Sequence, residues 1–165
     1  MTIRTFKAVL AGSAMLALGL SANAAQAATA TANAKAQILK AITVTKTADL
    51  DFGTIVSGAA AANVTLTSAG ALTCGAGLVC AGTPVVGAFG VTGTTAQVVN
   101  VSTTNASLTG PGAAMAATLS SSVSSLTLTG IAATDAFKVG GVLTVGANQV
   151  EGVYAGSFTV TVNYQ

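Results

Sequence analysis

The stretch TATANAKAQILKAITVTKT, residues 29–47, decides how the rest of the chain is read. Ala30, Ala32, Ala34, Ala36, Ile38, Ile42 and Val44 fall on one side of a two-residue repeat. Thr29, Thr31, Asn33, Lys35, Gln37, Thr43, Thr45 and Thr47 fall on the other. Lys40 interrupts the first row, and Leu39 and Ala41 interrupt the second. Strict alternation predicts a half-buried strand, because successive side chains point to opposite faces. At ~3.3 Å per residue the run would span roughly 60 Å, about three times a typical strand. Either it folds as two elements, or its first half serves somewhere other than its own domain.

Upstream, the chain opens MTIRTFK, with two cations and no acid, followed by an apolar run over residues 8–20. That run is short for a membrane-spanning helix of ~20 residues. Ala25-Gln26-Ala27 fits an A-x-A cleavage site, with Ala22-Asn23-Ala24 as a second candidate. Residues 1–27 therefore read as a signal peptide, cut between Ala27 and Ala28. No cysteine lies near the site, which argues against a lipid-anchored product. The expected mature chain, residues 28–165, is long enough for one domain and has no membrane span. The expected destination is the periplasm, and then the cell surface or the medium.

Signal removal alters the charge balance. Lys35, Lys40, Lys46 and Lys138 remain against Asp49, Asp51, Asp135 and Glu151, a formal charge of zero. Nothing here indicates nucleic acid or an anionic membrane as a partner. A sparsely charged chain rich in Ala, Gly, Ser, Thr and Val is poorly protected against self-association. Cys74 and Cys80 are the only cysteines, and an even count in an exported protein favours a disulfide. Closing so short a loop contributes roughly 2 kcal/mol by chain-entropy reasoning.

Along the mature chain short β-type segments follow one another. They include residues 50–56 (LDFGTIV), 63–67, 84–91 (PVVGAFGV), 97–102 (QVVNVS), 115–119 and 125–129. Residues 137–145 (FKVGGVLTV) carry Gly140-Gly141, read either as a hairpin turn or as a bulge inside one strand. Residues 154–164 (YAGSFTVTVNY) set Tyr154, Phe158, Val160, Val162 and Tyr164 on one face of a predicted closing strand. No mature segment shows sustained helical periodicity with caps. Strands at this spacing with Gly-rich turns predict an all-β, antiparallel β-sandwich.

Catalytic apparatus is sparse. The chain has no histidine and no tryptophan, so a His-based triad or His-rich metal site is excluded. Asp49 and Asp51 would share a strand face, either as part of a calcium site or as a solvated strand end. Asp51-Phe52-Gly53 matches the kinase metal-binding tripeptide by letters alone, with no other kinase element present. Gly87, Gly90 and Gly93 lack both a G-x-G-x-x-G frame and a P-loop lysine. The expectation is a protein with no catalytic residue, no metal and no cofactor.

Alternating Ala and Ile leading into Ile42-Thr43-Val44, then Leu50-Asp51-Phe52-Gly53, resembles the start of the bacterial secreted family called domain of unknown function 4402. The segments VGGVLTV (139–145) and GVYAGSFTVTVNY (152–164) extend that resemblance over the mature chain. The ending also resembles the last strand of chaperone–usher pilins. The pilin likeness implies an immunoglobulin-like sandwich completed by donor-strand complementation, in which a neighbour's N-terminal extension supplies the missing strand. It would imply self-association, a periplasmic chaperone and an outer-membrane usher as partners. The donor candidates are then Ala30, Ala32, Ala34, Ala36 and Ile38 within an extension over residues 28–38, and residues 39–165 form the sandwich. The plainer alternative makes residues 28–36 a disordered tail. The rival function is a self-complete adhesion module whose Thr-rich faces bind carbohydrate or another surface. A small outer-membrane barrel ranks last, because six aromatics after signal removal are too few for two interfacial girdles.

Overall fold

A computed structural model describes residues 27–165, so the expected signal peptide lies, apart from Ala27, outside the described residues. The chain divides into two units between Ala36 and Gln37. In the first, residues 27–36 form no strand and are exposed. The second holds all twelve strands found among the described residues. These are β1 (Thr43–Ala48), β2 (Thr54–Val56), β3 (Ala62–Leu66), β4 (Leu72–Cys74), β5 (Val79–Ala81) and β6 (Gly87–Thr92). They continue with β7 (Val98–Thr103), β8 (Ala106–Leu108), β9 (Met115–Ser121), β10 (Ser125–Thr127), β11 (Ala136–Val145) and β12 (Val160–Tyr164). Among the described residues there is no α-helix, and hence none long and apolar enough to cross a membrane.

All pairings are antiparallel, and the fold is all-β as its alternation predicts. β11 organises the larger, seven-stranded sheet. Along one edge it pairs first with β6 (Phe137 opposite Phe89) and then with β3 (Leu143 opposite Val64). Along its other edge it pairs with β9, where Val139–Leu143 face Ala117–Ser121 in one unbroken register. β1 extends the sheet beyond β6, β4 beyond β3, and β8 beyond β9. A three-stranded sheet, β10-β7-β12, shares the same core through Val99 and Val101, and β2 and β5 form a separate ribbon.

Gly140-Gly141 is neither a turn nor a bulge. Phe137, Val139, Leu143 and Val145 all face the core, so the inward phase runs through both glycines unchanged. The glycines answer a packing demand where β6 ends and β3 begins along one edge of β11. A Cβ on Gly140 would lie 2.6 Å from Ser68 N, and one on Gly141 would lie 2.5 Å from the Thr118 carbonyl oxygen. Neither approach is tolerable for a real side chain.

The core is built from the alternate residues of these strands. Val64 and Leu66 of β3, Val91 of β6, Val99 of β7 and Ala117 of β9 are fully or almost fully buried, while Asn63, Asn100, Ala116 and Thr118 on the alternate positions are exposed. Phe89 stacks on Phe137 at 5.4 Å and meets Phe158 edge-on at 6.0 Å, an arrangement that adds to plain burial. The disulfide forms as expected between Cys74 and Cys80. It joins β4, at an edge of the seven-stranded sheet, to β5 in the ribbon.

Two expectations need correction. The opening run does not make a strand over residues 29–47: pairing starts only at Thr43. Alanines bury little apolar area, so residues 30–36 gain almost nothing by packing on their own domain. Even β1, paired to β6 through its backbone, is exposed on both faces up to Ala48. The closing run is also shorter than predicted. β12 begins at Val160, and the earlier part makes a single bridge, Ala155 to Thr109. The predicted face nevertheless holds: Tyr154, Phe158, Val160, Val162 and Tyr164 are half-buried against the core, and the residues between them are exposed.

Tyr164 fixes where the chain joins the sandwich. Its hydroxyl donates to the Lys40 carbonyl at 2.6 Å and accepts from Thr94 N at 2.8 Å. Lys40 N in turn donates to Thr94 Oγ1 at 2.6 Å. Ile42, next along, packs partly on the core, whereas Ile38 is 94% exposed.

Candidate functional site

The segment Leu50-Asp51-Phe52-Gly53 builds one wall of the main groove. Asp51 exchanges backbone hydrogen bonds with Val85 at 2.8 Å in both directions, which anchors the wall beyond the end of β6. The Asp51 side chain accepts from Gly53 N at 2.8 Å, closing a tight Asx turn. Gly53 sits at φ +79°, and a Cβ there would lie 2.9 Å from the Ala81 carbonyl, so only glycine fits both demands. The turn drives Phe52 into the core and delivers the chain into β2.

The facing wall is residues 149–154, a segment without a strand of its own. Asn148 N donates to the Gly58 carbonyl at 2.8 Å, and Ser57 Oγ donates to the Gln149 carbonyl at 3.1 Å. At the other end the Tyr154 hydroxyl donates to the Val150 carbonyl and accepts from Gly112 N, both at 2.9 Å. Both ends of this wall are therefore pinned.

Between the walls lies a cavity of about 710 Å³. Its floor includes Met115, Leu143 and Val145, residues of the buried core. Val56, Val150 and Val153 stand on its walls with more than half their surface exposed, Val153 at 86%. Asp51 and Glu151, one on each wall, are exposed carboxylates, and no lysine or arginine lines the space. Such a site suits an apolar guest that carries positive charge at its edge. Among the described residues the one ion pair is Lys46 with Asp49, at 2.5 Å, so neither groove acid has a cation of its own.

Asp49 and Asp51 do not converge on a common site. Asp49 turns to Lys46 and Asp51 to Gly53 N. Among the described residues no three His, Cys, Asp or Glu side chains are grouped to hold a metal. Ala30, Ala32, Ala34, Ala36 and Ile38 are all exposed and unpaired, as are Ala27 and Ala28 at the expected cleavage point. Glu151 and Val150 escape a sequence reading, because residues 149–151 carry neither alternation nor a motif, and Asp51 is legible only as a strand-end acid.

One acid is of a different kind. Asp135 is 1% exposed. Its carboxylate accepts from Thr129 N, Thr129 Oγ1 and Gly130 N at 2.7–2.8 Å. Burial pushes this carboxyl up, but the Thr129 backbone and hydroxyl, with the Gly130 and Ile131 backbones, outweigh burial and hold it below the ordinary carboxylate range. Its backbone carbonyl also accepts from Val91 N at 2.8 Å, tying the loop to β6. Asp135 is a structural clasp remote from the groove.

The class defined by these features is an all-β, disulfide-bonded antiparallel domain with an unpaired N-terminal segment and an apolar groove. Residues 42–164 match the family model described as domain of unknown function (DUF4402), and the chain belongs to that family. No curated protein and no solved structure matches it.

Proposed function

We propose that this protein is an exported, non-catalytic structural subunit of a bacterial surface fibre, polymerising by donor-strand complementation. The observation that carries the reading is the mismatch in residues 28–38. They alternate as a strand should, yet they form no strand with their own domain and leave Ile38 94% exposed. A segment patterned for pairing and unpaired at home is suited to pairing with another chain. The disulfide fits an oxidising compartment, and the near-absence of surface charge fits a subunit built to associate. A periplasmic chaperone and an outer-membrane usher would be the partners before assembly.

The test is a gel. Protein exported to a periplasm is run in detergent with and without boiling. The expected result is a ladder that collapses on boiling and disappears when residues 28–38 are deleted. A monomer whose melting temperature is unchanged by that deletion would refute the reading and favour the adhesion module.

A further inference from the structure

We propose that the groove between residues 50–57 and 149–154 is the acceptor site, and that its occupant is the N-terminal segment of a second copy of this chain. The inference rests on the fibre reading and adds where the neighbour binds.

Geometry supplies the first argument. Tyr164 and Thr94 hold Lys40 at one end of the β1–β6 ladder. Leu50 and Asp51 open the groove at the other end, beyond Ala48 and Val85. The six residues of β1 alone put about 20 Å between them. Ile38 stands two residues before Lys40 and reaches at most about 7 Å from it, so the large apolar side chain of the segment falls short of its own groove. A neighbour's groove carries no such restriction. Because the segment leaves one end of the sandwich and the groove opens near the other, the contact is head-to-tail and repeats into an open filament.

Chemistry supplies the second. Residues 28–42 contain Lys35 and Lys40 and no acid. The groove wall carries Asp51 and Glu151 and no cation. The alanine row of the segment has the small size a narrow cleft admits, and Ile38, the large apolar side chain of that row, would cover the exposed Val56, Val150 and Val153 of the walls. Lys35, on the opposite row, would then lie along the acidic rim. Burial of Ile38 sets the expected scale: Ile38→Asp should weaken assembly roughly 10- to 100-fold. Glu151→Lys and Lys35→Glu should each weaken it about fivefold, and the two together should recover most of the loss. Both positions are exposed, so melting curves of the isolated variants should overlay the parent's.

The decisive experiment places a photo-cross-linking amino acid at Gln37 in the otherwise intact chain. Covalent dimers are cut from the gel and mapped by mass spectrometry. Cross-links from position 37 to residues 50–57 or 149–154 are expected. Covalent dimers joined instead to β7 or β12 overturn the groove assignment and leave the fibre reading standing. Failure to recover the double charge reversal likewise overturns the assignment. If no dimer and no detergent ladder form at all, the fibre reading falls, and this inference with it.

Discussion

Replacing Asp135 by alanine should remove a large part of the fold's stability, although the residue touches neither the groove nor the N-terminal segment. Its carboxylate, 1% exposed, satisfies three donors, Thr129 N, Thr129 Oγ1 and Gly130 N, on residues that themselves reach the surface. Hydrogen bonds to a charged group contribute about 1.5–3 kcal/mol each. The three share one acceptor and do not add fully, so Asp135→Ala should cost about 3–5 kcal/mol. That is about a fifth or more of the roughly 5–15 kcal/mol available to a domain of this size. Asp135→Asn keeps the volume and one acceptor but turns an NH2 group toward donors, and should cost about 2–3 kcal/mol.

The measurement is urea unfolding followed by circular dichroism across pH 2–7. The sign follows from the depressed carboxyl. An acid whose folded pKa lies below its unfolded value of about 3.9 contributes its full stability above that value. The contribution is lost as pH falls from there through the folded pKa. The parent should therefore lose stability below about pH 4, and Asp135→Asn should lack that part of the acid limb. A cost below about 1 kcal/mol for Asp135→Ala, or an acid limb unchanged in Asp135→Asn, would refute the clasp.

Two other predictions concern the frame. Gly140→Ala forces a methyl against the backbone at Ser68 and should cost more than about 3 kcal/mol, seen as insoluble product or a collapsed unfolding midpoint. Tyr164→Phe releases Lys40 and Thr94, should cost about 1–1.5 kcal/mol, and should speed amide exchange at Thr94 while leaving β9 and β11 protected.

How legible the molecule was depends on the scale of the signal. Alternation gave the half-buried face of residues 154–164, because a side-chain period of two survives even where the ladder is broken. It misplaced the opening strand for an equally physical reason. A pattern says which side chains could share a face, and says nothing of whether an edge exists for them to join. For residues 29–42 none of their own domain's edges is used. Gly140-Gly141 shows the same limit in reverse: a turn-like dipeptide is a packing device once β3 and β9 press on both sides of β11.

The sequence by itself determined the all-β class, the disulfide, the absence of histidine chemistry and the odd length of the run at residues 29–47. All of these depend on local period or on composition. The tertiary structure alone decided that Asp135 is a clasp, that Tyr164 marks where the chain joins its sandwich, and that Asp51 and Glu151 face one groove. The last two join residues 124 and 100 positions apart, a separation that no local pattern encodes and that only the tertiary fold brings together, and the Asp135 clasp depends on a loop burial that no period in the sequence marks.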